Sequence, residues 1–82
     1  MFYTYVLKSL THRSLYVGSS QDPEERLENK HNKGKVSYTK GRMPWELVIK
    51  EEYQTRSEAV RREKFLKSGQ GREYLKRVLK DR

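Results

Sequence analysis

Phe2-Tyr3-Thr4-Tyr5-Val6-Leu7-Lys8 and Ser14-Leu15-Tyr16-Val17-Gly18 decide how this 82-residue chain folds. Both runs are β-branched and aromatic, and the polar Ser9-Leu10-Thr11-His12-Arg13 between them reads as a turn, so the pair is a hairpin. With Lys8 closing the loop opposite Arg13, antiparallel register pairs Val6 with Leu15, Tyr5 with Tyr16 and Tyr3 with Gly18. Tyr5 and Tyr16 then stand side by side on one face. Val6 and Leu15 share the other.

Working outward, Asp22-Pro23-Glu24-Glu25 is a helix start: an N-cap, a proline at the first helical position and a capping-box glutamate. This helix runs to about Lys30 and carries one aliphatic residue, Leu27, so it is solvated or faces a ligand. Residues 31–43 read as a long basic loop, a length usually tied to function in a small domain. Pro44-Trp45 opens a third strand in which Trp45, Leu47 and Ile49 alternate with Glu46, Val48 and Lys50. Thr55-Arg56-Ser57-Glu58 is a second capping box, launching a helix to about Lys67. Ser68-Gly69-Gln70-Gly71 breaks the chain, and a last helix over about 72–80 gathers Tyr74, Leu75, Val78 and Leu79 into one stripe. The order is ββαβαα, an α/β (α+β) domain spanning 1–82, with a three-stranded antiparallel sheet flanked by helices.

Composition narrows the function. Nineteen Lys+Arg against eleven Asp+Glu give a net charge of +8, and 37% of the residues are charged. Only 33% are hydrophobic, but six Tyr, two Phe and one Trp supply the core that a disordered chain lacks. The absence of cysteine excludes a disulfide scaffold and a cysteine zinc site. No apolar run approaches the ~18–20 residues of a membrane span, and no signal peptide follows Met1. A basic cytoplasmic domain with no membrane role and no evident obligate protein partner is expected. The charge is concentrated: residues 1–60 carry a net +2 and residues 61–82 a net +6. That asymmetry suits a polyanion, DNA first, with RNA left open.

Chemistry-bearing residues are few. No nucleophile elbow or P-loop is present, and neither histidine has an acid at zinc-ligand spacing. Asp22 with Glu28-Asn29-Lys30 matches an acid…Glu-x-Lys pattern of nucleases, but all lie on one predicted helix and cannot converge. Glu63 stands apart: Ala59, Val60 and Leu66 share its helix edge, so its carboxylate is drawn toward the core. Such a group needs a metal or a cation, and Arg62, Lys67 and Arg26 are the cations available.

Tyr3-Thr4-Tyr5, ten residues, then Tyr16-Val17-Gly18 resembles the signature of the GIY-YIG endonuclease superfamily. The resemblance continues through Arg26-Leu27, His31-Asn32, Ser37-Tyr38-Thr39, Pro44-Trp45-Glu46-Leu47 and Ala59 with Glu63, and is closest to the small stand-alone bacterial YhbQ-like proteins. It implies a metal-dependent endonuclease acting on DNA, selective for structure rather than sequence in so small a chain, with a role in repair or recombination. Tyr5 and Tyr16 match the tyrosines that orient or deprotonate water, Arg26 the arginine on the scissile phosphate, and Glu63 the ligand of a divalent metal, Mg²⁺ or Mn²⁺. His31 matches a histidine supporting the phosphate or leaving group.

There are two departures from the family pattern. Tyr3-Thr4 replaces Gly-Ile, and Arg26 and His31 are five apart where relatives often have four. On an α-helix one extra residue rotates His31 by about 100°, placing it beyond the helix end or away from the site.

A tyrosine base needs its pKa lowered about three units, or roughly 4 kcal/mol, and a chain of charge +8 is compatible with such a depression at Tyr5. The alternative is that the tyrosines only position water while metal or solvent takes the proton. Nucleic-acid contacts are expected from Lys33, Lys35, Tyr38, Lys40 and Arg42 in the loop and from Arg72, Lys76 and Arg77 on the last helix. Two other readings stand beside the nuclease: a helix-turn-helix module built from the two C-terminal helices, which binds without cutting, and a protein-interaction domain aimed at an acidic partner.

Overall fold

The computed structural model describes residues 1–80, and for Ser37 and Tyr38 the backbone alone. Three antiparallel strands, β1 (Phe2–Ser9), β2 (Leu15–Ser20) and β3 (Trp45–Tyr53), form a sheet of order β2-β1-β3. Helix α1 (Pro23–Arg26) runs directly into a π-helical turn, Leu27–His31, and a short α2 (Ser37–Lys40) interrupts the basic loop. After β3 come α3 (Arg56–Lys67) and α4 (Gly69–Leu79). The expected α+β architecture is present, with α2 as an added element. Among the described residues no helix is long and apolar enough to cross a membrane.

The hairpin register differs from expectation by two residues. Tyr5 lies opposite Gly18, Val6 opposite Val17, Leu7 opposite Tyr16 and Tyr3 opposite Ser20. The cause is Ser9. Its Oγ accepts from the amides of Thr11 and His12 and donates to the Arg42 carbonyl at 2.7 Å, while its own amide bonds Ser14. That side chain extends β1 past Lys8 and tightens the loop onto residues 10–13. A slip of two preserves the side-chain parity of a strand, so Tyr5 and Tyr16 remain on one face.

Central strand β1 is buried on both sides. Val6 joins Val17, Leu66 and Leu75 under α3 and α4, with Leu15, Val48, Ile49, Tyr74 and Leu79 packed around them. Tyr5 and Leu7 join Trp45 on the opposite face, with Tyr16, Leu27, Met43 and Leu47. Thr4 is fully buried, and its hydroxyl donates to the Ala59 carbonyl at 2.7 Å, tying β1 to α3. The alternation expected for β3 fails at a bulge: Val6 pairs with Ile49 but Leu7 with Leu47. The extra residue at this bulge, Val48, turns the strand so that Trp45 and Leu47 pack on the Tyr5 side and Ile49 on the Val6 side.

Both helix starts are capped, but only the second as a full capping box. Asp22 accepts from the Glu25 amide while its own amide bonds Ser20 Oγ instead of Glu25, and Thr55 and Glu58 make both limbs of the box. Between α3 and α4 only Ser68 is non-helical, and it caps α4 by accepting from Gly71 N–H. A helix-turn-helix uses a turn of about three or four residues, so α3 and α4 do not form one. Gly71 permits the tight corner, because a side chain there would overlap the Phe65 carbonyl and the Leu66 backbone. Val78, expected in the apolar stripe of α4, is exposed, because that stripe narrows to Tyr74, Leu75 and Leu79.

Two glycine substitutions test this corner. Gly71→Ala is expected to destabilise by about 1–3 kcal/mol, the usual cost of overpacking, read as a lower urea midpoint with an unchanged m-value. Gly69→Ala has open space around its new methyl group and is expected to be neutral or up to ~1 kcal/mol stabilising. Equal effects at the two positions would overturn the packing argument.

Candidate active site

Tyr5 is the hub, and Gly18 makes room for it. The phenol of Tyr5 crosses from β1 over the backbone of Gly18 on β2, so that a Cβ on Gly18 would lie 2.7 Å from Tyr5 Oη and 3.0 Å from the Tyr16 ring. The glycine of the Tyr16-Val17-Gly18 triplet is therefore required by close approach. Tyr16 tilts beside it, with ring centroids 6.3 Å apart from Tyr5 and 4.7 Å from His31.

His31 reaches this cluster despite its extra residue. The Asn32 amide bonds the Leu27 carbonyl five residues back, at 2.9 Å, which is π-helical closure. The wider turn absorbs the inserted position, so the expected rotation away from the site does not occur. His31 is 1% exposed, with Nε2 3.0 Å from Tyr5 Oη and Nδ1 3.1 Å from Thr39 Oγ1. Thr39 donates its hydroxyl proton to the Val36 carbonyl at 3.2 Å, leaving its oxygen to accept. This polarity assigns the proton on His31 to Nδ1, which makes Nε2 the acceptor of the Tyr5 hydroxyl. The result is a directed hydrogen-bond chain from Tyr5 through His31 and Thr39 to Val36.

Both titrating groups of that chain are held neutral. Burial pushes the Tyr5 phenol well above its ordinary range, with nearby Tyr16 and Glu63 adding to the rise and Arg26 opposing it. The depression expected from net charge is absent, because desolvation outweighs the one cation acting on the phenol. Burial, then Arg26, lowers His31.

The loop that carries Thr39 is strapped in place. The Asn32 side chain accepts from the Trp45 amide at 2.6 Å and donates to its carbonyl at 3.1 Å. The Trp45 indole donates to the Thr39 carbonyl at 2.8 Å. Thr39 had no role in the sequence reading. Its part as an anchor depends on the fold of 31–43, and its place in Ser37-Tyr38-Thr39 was the only sequence signal.

Arg26 closes α1 half-buried, near enough to Tyr5 and His31 for its charge to act on both. Among the described residues it has no ion pair. Glu63 on α3 is close enough for its charge to act on Tyr5, and Lys67 holds its carboxylate at 2.8 Å. Of the cations considered as partners of Glu63, the pair is made with Lys67. The described residues contain no group of three His, Asp or Glu side chains suited to a metal. A lone, one-fifth-exposed carboxylate nonetheless matches Mg²⁺, which keeps its waters and takes one or two carboxylates plus substrate phosphates.

The expected nucleic-acid contacts divide into two groups. Lys33, Lys35 and Lys40 are exposed on the loop and Arg42 is half-buried, while the side chain of Tyr38 lies outside the described residues. Arg72, Lys76 and Arg77 are exposed on α4. Arg72 and Lys76 face a groove that also takes in Arg13 and Lys67, two cations the sequence reading did not single out as contacts.

The assigned tautomer and the lowered His31 pKa have a direct readout. In an NMR titration His31 is expected as the Nδ1–H tautomer, with a midpoint below the unfolded-chain value of about 6.5. Because the unfolded chain protonates first, stability present above pH ~6.5 is lost as pH falls through the folded His31 value. Urea unfolding is expected to show this loss in the wild type and to lack it in His31→Gln. Glu24, lowered by its bond to Lys50, loses its contribution only in the more acidic carboxylate range. A His31 midpoint at or above 6.5 would refute the assignment.

Comparison with known proteins gives this geometry a family. The family described as "GIY-YIG catalytic domain" matches residues 1–76. The UPF0213 protein of Staphylococcus aureus strain Mu3 is 41% identical over 81 residues, covering 98% of this chain and 95% of the relative. UPF0213 proteins from S. aureus strains Mu50 and N315 match to the same extent. A matched family over nearly the whole length, with both signature tyrosines meeting one histidine on the same sheet face, leaves no ambiguity about kinship: the chain belongs to the GIY-YIG catalytic domain family, a family of nucleases.

Proposed function

We propose that the protein is an endonuclease hydrolysing phosphodiester bonds in DNA, selective for structure rather than sequence, and serving DNA repair or recombination in the cytoplasm. The observation that carries this reading is the 3.0 Å bond from Tyr5 Oη to His31 Nε2, in a chain with fixed polarity beside Arg26 and Glu63.

Hydrolysis requires a nucleophile relieved of its proton, neutralised phosphoryl oxygens and a stabilised leaving group. A water hydrogen-bonded to Tyr5 Oη transfers its proton to that oxygen as the tyrosine proton passes to His31 Nε2. A P–O bond to the water oxygen forms and the P–O ester bond breaks, the leaving sugar oxygen taking its proton from solvent. The phenol ends as it began, and the imidazole carries the charge. No free tyrosinate is needed, which suits a phenol that burial keeps protonated. Tyr16 walls the water site, its ring tilted against that of His31. Arg26 supplies a fork of donors to the scissile phosphate. Glu63 would hold a divalent ion, Mg²⁺ or Mn²⁺, which supplies Lewis-acid stabilisation of the phosphoryl and leaving oxygens. Lys67, released from Glu63 in that event, is free to meet a phosphate. The loop cations Lys33, Lys35, Lys40 and Arg42 would hold the backbone of the substrate.

The test is nicking of supercoiled and branched DNA with Mg²⁺ or Mn²⁺. Glu63→Ala is expected to abolish cleavage while remaining folded. Tyr5→Phe should lower the rate by about 10²–10⁴, the usual weight of a positioned acid–base group. The acid limb of the pH–rate profile should fall below pH ~6.5, since activity requires neutral His31 and burial lowers it. No cutting by the wild type across these substrates and metals, or full cutting by Glu63→Ala, would overturn the proposal.

A further inference from the structure

An open groove of about 550 Å³ runs along the free edge of β2, between that strand and helices α3 and α4. Its rim carries Arg13, Lys67, Arg72 and Lys76, and among the described residues no carboxylate belongs to its lining. These cations come from three places, the β1–β2 loop, α3 and α4, so they surround a cleft rather than mark one helical face. The floor is apolar, from Leu15, Val17, Leu66 and Leu75. Tyr16, whose ring meets His31, is part of the wall, and Lys67 also holds Glu63. Tyr16 and Lys67 thus belong both to the lining of the groove and to the surroundings of the candidate site.

We infer that this groove binds a single unpaired DNA strand and feeds it to the Tyr5–His31 site, an inference that rests on the nuclease reading for its destination but not for its binding chemistry. Four cations, of which Lys67 pairs with Glu63 and Lys76 loosely with the exposed Glu73, surround a lining in which no described residue is a carboxylate. That excess of positive charge selects a polyanion, and no described residue of the lining would receive the basic residues an acidic peptide also brings. The floor decides between strand and duplex. A duplex turns phosphates outward and hides its bases, so an apolar floor would gain nothing from it. A single strand offers phosphates to the rim and the apolar faces of its bases to the floor, and Tyr16 in the wall is an aromatic surface of the kind on which bases stack in single-strand sites. Arg72 and Lys76, four residues apart on α4, stand about 5–6 Å from each other, suited to following successive phosphates of one strand. Between Cα extremes the domain measures 30 × 27 × 20 Å. A cleft within so small a body admits one strand where a duplex would rest only on its rim.

The test is fluorescence anisotropy in chelator, where binding is read without cleavage. The probes are a fluorescein-labelled oligothymidylate, a blunt duplex of equal length and a duplex with splayed ends, each over a salt series. The wild type is expected to bind the oligothymidylate and the splayed duplex more tightly than the blunt duplex. Arg72→Glu with Lys76→Glu should weaken single-strand binding at least tenfold. It should also flatten the slope of log K against log salt by about 1.4, or roughly 0.7 for each of two phosphates no longer neutralised. Arg61→Glu with Lys64→Glu, exposed on α3 and outside the groove, changes net charge equally and should weaken binding less than threefold. Equal losses in the two variants, an unchanged slope, or tighter binding of the blunt duplex would overturn the inference. Nicking with Mg²⁺ or Mn²⁺ separates the two proposals. The groove pattern without any cleavage sinks the nuclease and leaves the groove standing. Glu63-dependent cleavage with equal losses in both charge variants does the reverse.

Discussion

The hydrogen bond between Tyr5 Oη and His31 Nε2 is the contact on which the rest of the domain turns. It places a phenol in the middle of a sheet that has little apolar material to spare, and that placement is possible only because Gly18 leaves the space above it empty. The phenol in turn needs an acceptor, since a buried hydroxyl without one costs about 1–3 kcal/mol. His31 supplies it, Thr39 fixes His31, and the Trp45 indole and Asn32 fix the loop bearing Thr39. Among the described residues no buried polar side-chain atom is left without a partner. One polar chain thus organises the face of the sheet that α3 and α4 leave uncovered.

The π-helical turn is the device that allows this. A regular α-helix continuing from Arg26 would present His31 on a different bearing, with Nε2 directed away from the phenol. Closing Asn32 onto Leu27 widens one turn by one residue and restores the histidine to the sheet. Such turns carry poorer local energy than α-helix and persist where packing over-determines them. Here the over-determination is explicit: the ring is held at both nitrogens and against Tyr16. The helix bends for the site, and the bend explains why so short a segment departs from its capped start.

Much of this was legible in the chain, and the failures share a cause. Strand parity was readable because successive side chains of a strand point to opposite faces, so even a register wrong by two residues kept Tyr5 and Tyr16 together. The register itself was not, because it depends on the Ser9 hydroxyl reaching the Arg42 carbonyl, a contact between residues far apart in sequence. The bulge at Val48 was hidden in the run Leu47-Val48-Ile49, where every residue is apolar and no alternation marks the face. Glu63 could be singled out from its apolar neighbours, and the Asp22 cap and the Thr55–Glu58 capping box from local chemistry. Lys67 was legible as a partner of Glu63 one helical turn away, but its place on the groove, like those of Arg13 on the groove and Thr39 behind His31, comes only from tertiary folding.

Burial moves the two titrating groups in opposite directions, raising Tyr5 and lowering His31. Transfer of a proton from one to the other, taken alone, is therefore uphill by more than it would be in water. The proposed reaction avoids that isolated step, because Tyr5 gives up its proton only as it receives another from the attacking water. The identity of the anchor fits this requirement. A carboxylate in place of Thr39 would stabilise the imidazolium permanently and raise the basicity of His31, as acidic partners of histidine do elsewhere. A hydroxyl whose proton is committed to the Val36 carbonyl orients the ring without adding charge. The negative charge that makes His31 a better base then has to come from the substrate itself, so on this reading the phosphodiester is both the group attacked and the group that readies the site.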